Sequence, residues 1–130
     1  MSLLRLCTIP LLAALAAANA SDAPVKRTLL QKFDVPTAVP HECVLALAEV
    51  APGASIGRHT HPGVETGYVV AGSLVLLVDG EPPRVLRAND SYRIEAGKAH
   101  DGRNDGKATV KIVGTWIVAK GKPLSSPAPL

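Results

Sequence analysis

The sequence predicts an all-β fold, either a sandwich or a barrel. Short apolar runs of strand length recur at intervals of about 8–12 residues along most of the chain. Turn residues separate these runs, as at Asp79-Gly80 and at Asn104-Asp105-Gly106. No good helix pattern follows the first 20 residues. Short strands joined by such turns are typical of antiparallel all-β domains.

The length and composition predict one domain with an aliphatic core. A chain of 130 residues fits a single domain. Hydrophobic residues make up 47% of it, enough for a packed core, and the charged fraction of 19% argues against disorder. Aromatic residues make up only 3%, so aliphatic side chains must fill most of the core.

Residues 1–20 predict a secretory signal peptide. Arg5 provides the positive start, residues 11–17 are apolar, and Ala18-Asn19-Ala20 has the form of a cleavage site. A buried helix and a membrane anchor are the alternatives. However, Pro10 interrupts the apolar stretch, which is shorter than the ~20 residues that a spanning helix needs. Cleavage is expected to send the mature protein to a periplasm or outside the cell.

The charge balance argues against nucleic-acid and membrane partners. The full chain has 14 basic and 11 acidic residues, for a net charge of +3. Cleavage removes Arg5 and leaves 13 basic residues against 11 acidic ones, for a net charge of +2. A charge this small and this scattered does not favour binding to nucleic acid or to an anionic membrane.

The remaining chain divides into an arm, a barrel and a tail. Residues 21–40 form an N-terminal arm with an edge strand at residues 26–35, and residues 41–119 form the barrel domain. Within the barrel, further strands are predicted at residues 68–70, 74–78, 85–86, 92–94 and 110–118. Residues 120–130 are rich in proline and are expected to form a flexible tail that is either disordered or loosely docked.

The apolar run at residues 43–50 predicts a buried strand. Its alanine and leucine content leaves a short helix as an alternative, but Ala51-Pro52-Gly53 ends the run at strand length. Cys43 begins this run and is the only cysteine left after cleavage, so no intrachain disulfide can form. We expect Cys43 to be buried as a small hydrophobic residue, with a bond between chains as the alternative.

Three potential metal ligands lie within seven residues: His59, His61 and Glu65. Side chains alternate along a strand, so both histidines face the same way, about 6 to 7 Å apart. Pro62-Gly63 can then turn the chain and bring Glu65 back to the same ion. Two imidazoles and a carboxylate hold the metal in many open, reactive sites. For the histidine pair alone, two solvent-facing side chains remain the simpler explanation.

The residues around this pair resemble the two motifs of the cupin family. All fixed positions of the first motif are present at the family's spacing: Gly53, His59, His61, Glu65 and Gly72. The second motif has the family's spacing at Asn89, Glu95, Gly97, His100 and Asn104. The resemblance covers residues 53–104 by motif and residues 26–120 by general layout.

The resemblance implies a small antiparallel jelly-roll barrel that holds a metal ion inside. The implied ligands are His59, His61, Glu65 and His100. It also implies a homodimer. Two positions depart from the pattern, because Asn89 replaces a glycine and Glu95 replaces a proline. A turn with positive φ tolerates asparagine, whereas the loss of proline removes a restraint from the loop before His100.

Three histidines and one glutamate leave one or two positions open on a five- or six-coordinate ion. Imidazole ligands favour a divalent transition metal, namely Fe, Mn, Ni, Cu, Co or Zn, over Ca or Mg. Our first hypothesis is a metal-dependent oxidoreductase of dioxygenase type that acts on a small oxygen-rich molecule. The alternatives are a non-catalytic module that binds a metal or a small ligand, and a non-oxidative isomerase or lyase. Four further residues are expected to line the cavity: Tyr92, Arg93, Arg103 and Trp116.

Overall fold

The computed structural model describes residues 23–129, so the predicted signal peptide lies outside the described residues. Every regular element in the described range is a β-strand. The strands are β1 (Val25–Val35), β2 (His41–Val50), β3 (His59–Thr60), β4 (Val64–Ala71), β5 (Ser73–Val78), β6 (Arg84–Arg87), β7 (Ser91–Ile94), β8 (His100–Arg103), β9 (Val110–Ala119) and β10 (Ser126–Pro127). Within this range, no helix has the length and apolar character needed to cross a membrane.

The described strands form two five-stranded sheets. The first has the order β1-β2-β9-β4-β7, and the second has the order β10-β3-β8-β5-β6. All of the pairings are antiparallel, and the predicted jelly roll is confirmed. The largest fully buried side chains are mostly aliphatic and come from both sheets: Leu74, Leu76, Ile112, Val50, Val69, Val110 and Val118.

The run at residues 43–50 lies within strand β2 and does not form a helix. Along β2, Val44, Ala46, Ala48 and Val50 are buried, and the residues between them from Leu45 onward are half-buried. This period of two is that of a strand. Pairing with β1 on one side and β9 on the other outweighs the helix propensity of alanine and leucine. Cys43 is buried and free, as expected.

Strand β1 is the edge of the first sheet and is unusually exposed. It has 11 residues and pairs with β2 on one side only, through ten of them, with a bulge between Leu29 and Gln31. Leu29, Leu30 and Phe33 are 60%, 49% and 53% exposed. A long edge strand with exposed apolar side chains is well suited to pairing with another chain.

The segment predicted to be a flexible tail is docked on the barrel as far as residue 129. Strand β10 pairs with β3, and the Ala128 N–H donates to the Arg58 carbonyl at 3.1 Å. The Arg58 Nε–H donates to the Pro129 carbonyl at 2.7 Å. The described part of this segment is therefore docked, which is the second of the two alternatives expected for it. Proline lacks an N–H but keeps a carbonyl acceptor, and the exposed edge of β3 offers partners that composition alone does not reveal.

Small residues make a flat area on the inner face of the first sheet. Ala46, Gly114 and Gly67 lie side by side on β2, β9 and β4. The ring of Tyr92 covers Gly67 and the ring of Trp116 covers Gly114, so a Cβ at either glycine would overlap the ring above it. Both aromatic rings therefore depend on these glycines to lie close to the sheet.

Gly67→Ala should lower the free energy of unfolding by about 1–3 kcal/mol, because the new methyl group overpacks the space under Tyr92. The matched control is Thr66→Ala, which alters the neighbouring, exposed side chain on the outer face and should change stability by less than about 0.5 kcal/mol. Urea denaturation of both variants tests this. Equal stability of the two variants would contradict the packing described above.

Candidate metal centre

The four predicted ligands come together between the two sheets. One potential ligand atom from each of His59, His61, Glu65 and His100 lies within 4.8 Å of all the others. His59 begins β3 and lies opposite His100 at the start of β8, and Glu65 lies in β4. His61, Glu65 and His100 are buried, and His59 is partly exposed. The group could therefore hold one metal ion that remains accessible from one side.

The bend at Pro62-Gly63 brings Glu65 to the histidines, as the sequence predicted. Gly63 packs directly on the backbone of β9, where an added Cβ would overlap the Ile117 carbonyl. Glu65 then pairs with Trp116 on one side and Ile94 on the other. These two pairings hold the carboxylate at a defined depth in the barrel.

Each of the three imidazoles is oriented by a backbone carbonyl. The Nδ1–O distances are 2.6 Å for His59 to Gly57, 2.6 Å for His61 to Leu124 and 2.9 Å for His100 to Lys98. A carbonyl can only accept a hydrogen bond, so each Nδ1 must carry the proton that it donates. In the neutral form, each Nε2 then has a lone pair available for a metal.

The Nε2 atoms and the carboxylate face one another at short range. His59 Nε2 lies 3.1 Å from His61 Nε2. The Oε2 atom of Glu65 lies 2.8 Å from His61 Nε2 and 3.1 Å from His100 Nε2. Lone pairs at these distances repel one another unless a proton or a cation lies between them. This donor set therefore fits a transition-metal ion.

The electrostatics of the cluster keep Glu65 ionised. Burial alone would raise the pKa of Glu65, but the hydrogen bonds from His100 and Tyr92 and the short contact with the His61 ring outweigh it and hold that pKa well below its usual range. Burial raises the pKa of Tyr92 well above its ordinary value, and the charge of Glu65 adds to this effect. Tyr92 therefore stays protonated, and its hydroxyl donates to Glu65 Oε1 at 2.8 Å, which leaves Oε2 facing the histidines.

Two of the histidines respond to the cluster in opposite directions. Burial lowers the pKa of His59 against the opposing effect of its hydrogen bond to Gly57, and the neighbouring histidines lower it further, which favours the neutral form that a metal ligand needs. Burial also acts to lower the pKa of His100, but the hydrogen bond to Glu65 outweighs it and the net shift is upward. A metal ion at this site would have to displace the proton that His100 shares with Glu65.

A cavity of about 110 Å³ opens beside the ligand group. Six of the sixteen residues that line it are aliphatic: Ala48, Ile56, Leu74, Leu76, Ile112 and Leu124. Polar groups other than the four ligands come from Arg27, Tyr92, Trp116 and Ser125. The Trp116 Nε1–H donates to His61 Nε2 at 3.1 Å. The space admits only a small molecule.

Two of the four residues predicted to line the cavity do so. Tyr92 and Trp116 lie in its wall, but Arg93 and Arg103 do not. Both arginines are exposed and form ion pairs with acidic side chains two residues further along the chain. Strand parity explains the correction, because Arg93 follows the inward-facing Tyr92 and Arg103 lies three residues from the inward-facing His100.

Arg27, Leu124 and Ser125 line the cavity but were not predicted. Arg27 lies in the edge strand β1 opposite Ala48, and nothing in the sequence reveals this register. Leu124 and Ser125 belong to the segment that composition assigned to a tail. Side chains alternate along a strand, so the sequence could indicate that Arg27 faces inward only if an inward-facing residue of β1 were already known.

Both departures from the second motif are accommodated. Asn89 adopts a φ of 77°, as expected for a residue that replaces glycine in a turn. The loop that begins at Glu95 is closed by the Lys98 N–H, which donates to the Glu95 carbonyl at 3.1 Å. The Gly97 N–H donates to the His61 carbonyl at 2.8 Å. These bonds restrain the loop before His100 without a proline.

His61→Ala should lose most of its metal affinity, because the three remaining ligands cannot complete the set. The loss should exceed the ~10–100-fold typical of residues that only support a ligand. Equilibrium dialysis against Co²⁺ measures it. The control is His41→Ala, since His41 lies outside the ligand group and bonds to the Val39 carbonyl. Full Co²⁺ occupancy in His61→Ala would rule out this site.

A relative from Streptomyces glaucescens shares part of the sequence. The tetracenomycin polyketide synthase protein TcmJ is 35% identical over 66 residues. The match covers 50% of this chain and 44% of TcmJ. The chain thus spans less than half the length of this curated relative.

Three solved structures have a similar fold. An uncharacterized conserved protein with a double-stranded β-helix domain from Klebsiella pneumoniae matches with a TM-score of 0.65 and 20% identity, over 85% of this chain and 89% of that one. The DMSP lyase DddQ from Ruegeria pomeroyi matches with a TM-score of 0.66 and 18% identity, over 93% and 59%. Oxalate oxidase in complex with the substrate analogue glycolate matches with a TM-score of 0.60 and 25% identity, over 78% and 57%.

The family model described as Cupin domain matches residues 46–118. This range includes all four clustered ligands, both motifs and the strands that position them. It covers more than half of the chain. The chain therefore belongs to the cupin family.

Proposed function

We propose that this cupin is a metal-dependent oxidoreductase of dioxygenase type that acts on a small oxygen-rich acid. The observation that supports this most directly is the cavity itself. A largely buried group of three histidines and one carboxylate opens into a small space, and the residues that line this space include Arg27, whose charge acts on Tyr92 beside Glu65. This arrangement suits a ligand with one oxygen group at the ion and a second at the arginine.

His59, His61, Glu65 and His100 would hold one divalent transition-metal ion, and four donors leave coordination positions open. Such an ion supplies Lewis acidity and, if it is redox-active, the ability to use O₂. The donor types are compatible with Fe, Mn, Ni, Cu, Co or Zn. The surrounding side chains do the rest: Tyr92 holds Glu65 in place, and the aliphatic wall excludes water.

Arg27 indicates the class of substrate. A guanidinium group offers paired N–H donors that match a carboxylate, and Arg27 is the only cationic side chain among the described residues of the cavity wall. With a divalent ion in place, one ionised glutamate leaves the site positively charged, which favours an anion. The oxalate oxidase that this chain resembles was solved with glycolate, which is itself a small carboxylic acid.

A non-catalytic binding module is the main alternative. Apart from the four ligands, the described wall offers only Arg27 and Tyr92 as titratable groups, and Tyr92 is held protonated. Neither is an evident general base. A non-oxidative isomerase or lyase is a further alternative, in which the ion acts only as a Lewis acid on a sugar-like substrate.

Export and dimerisation form part of the proposal. The signal-like residues 1–20 support a periplasmic or secreted protein, and the exposed apolar side chains of β1 support a homodimer through this edge. Exported protein should begin at Ser21 and sediment as a dimer. An intact N-terminus would count against export, and a monomer at micromolar concentration would count against the dimer.

The reaction is tested on untagged protein purified from the exported compartment without added metal. Elemental analysis should find near-stoichiometric Fe, Mn, Ni or Cu, and an oxygen electrode should detect O₂ uptake with at least one member of a panel of small carboxylic acids. Stoichiometric Zn without O₂ uptake would favour the non-oxidative alternatives. Binding of an acid without turnover would favour the binding module.

Arg27→Ala should weaken binding of the active acid by about 10–100-fold, the usual cost of losing a hydrogen bond to a charged group. Its metal content should not change. The matched control is Lys26→Ala, since Lys26 neighbours Arg27 in β1 but pairs with Glu49 outside this cavity. KM for the acid, or its Kd if there is no turnover, is the measured quantity. If the two variants change KM or Kd equally, Arg27 does not bind the acid.

A further inference from the structure

The C-terminal segment, residues 124–129, contributes directly to the metal centre. The Leu124 carbonyl accepts a hydrogen bond from His61 Nδ1 at 2.6 Å. Leu124 and Ser125 also form part of the cavity wall. Both contacts come from a stretch that lies beyond the last long strand and beyond both sequence motifs.

Several contacts hold this segment in place. Leu124 packs against a buried cluster made up of Val44, Ala46, Trp116 and Val118. Strand β10 extends the second sheet by pairing with β3, the strand that begins with His59. Arg58 bonds to the Pro129 carbonyl and also forms a partly buried ion pair with Asp79. The segment is thus attached at both of its ends.

His61 differs from the other two histidines in how it is oriented. His59 and His100 bond to carbonyls only two residues earlier in the chain, so local strand geometry provides their partners. The partner of His61 lies 63 residues away. The orientation of His61 therefore depends on docking of the C-terminal segment.

The two polar partners of His61 together select one tautomer. The Trp116 Nε1–H can only donate, so His61 Nε2 accepts it with its single lone pair, the same lone pair that a bound metal ion would take instead. The Leu124 carbonyl can only accept, so His61 Nδ1 must carry the proton. Once a metal ion takes the Nε2 lone pair, the Leu124 carbonyl is the one of these two partners that can still hydrogen-bond the ring.

We infer that the C-terminal segment is a positioning element of the metal centre. Through the Leu124 carbonyl it fixes the tautomer and the angle of His61, and through Leu124 and Ser125 it closes one side of the cavity. This inference rests on the proposed metal binding. The positioning group is a backbone carbonyl, so its loss is tested by removing the segment.

The test variant is the mature chain ended after Pro123. Co²⁺ alone is the probe, because its visible absorption reports coordination, and Kd is obtained by titration. Loss of the Leu124 carbonyl should weaken Co²⁺ binding by about 10–100-fold, as is usual for a group that orients a metal-bound histidine. The control is Lys122→Ala, which alters an exposed side chain of the same stretch outside the cavity wall, keeps the Leu124 carbonyl and should bind Co²⁺ as the unaltered protein does.

Nuclear magnetic resonance of the imidazole nitrogens in metal-free protein provides a readout independent of Co²⁺. In the full chain, all three ligand histidines should carry a proton at Nδ1. After truncation, the Nδ1 proton of His61 should lose its hydrogen-bond acceptor, so its resonance should move upfield and exchange faster with solvent, whereas the Nδ1 protons of His59 and His100 should not change because their carbonyl partners remain. The latter two rings are internal controls for the integrity of the fold.

The outcomes separate this inference from the proposed function. If the full chain binds no Co²⁺, the proposed metal site fails. If the full chain binds Co²⁺ and the truncated chain binds it equally well, the site stands and the positioning role is overturned. If the truncated chain does not fold, the test is made on the full chain by nuclear magnetic resonance. A through-bond coupling between His61 Nδ1 and the Leu124 carbonyl carbon supports the inference, and an unprotonated His61 Nδ1 overturns it.

Discussion

The constraint on which the rest of the structure depends is the convergence of three imidazole nitrogens and one carboxylate oxygen inside a small barrel. These atoms face one another at 2.8 to 3.1 Å, a distance at which neutral lone pairs repel. The fold tolerates this repulsion because each ring is fixed by a hydrogen bond from its Nδ1 to a backbone carbonyl. A cation bound between the four atoms would remove it. The strands that carry the ligands, the bend at Pro62-Gly63 and the C-terminal segment all hold these atoms together.

The first sheet supports the site because it has small residues beneath two aromatic rings. Ala46, Gly114 and Gly67 leave room above adjacent strands, and the rings of Tyr92 and Trp116 occupy it. Each ring then directs one polar hydrogen at a ligand, since Tyr92 donates to Glu65 and Trp116 donates to His61. In a chain with so few aromatic residues, two of them are used to combine packing with orientation of the metal ligands.

The strand predictions were reliable where turn residues and alternation agreed. The buried strand β2 and the closing strand β9 lie where they were expected, and Asn89 has the positive φ that its place in the motif requires. Two predictions fell short for different reasons. Arg93 and Arg103 were assigned to the cavity by residue type, although parity with Tyr92 and His100 places them outside. The tail was assigned by its prolines, although its carbonyls and Leu124 find partners on the barrel.

The sequence by itself determined the ligand group, because His59, His61 and Glu65 are close in the chain and the spacing to His100 completes a known pattern. It also determined the antiparallel fold, because the period of apolar residues and the turns are local signals. Only the tertiary structure decided which other groups reach the cavity. Arg27 arrives through the pairing of β1 with β2, and Leu124 arrives from 63 residues beyond His61. Neither contact has a local signal, since both depend on packing between distant segments.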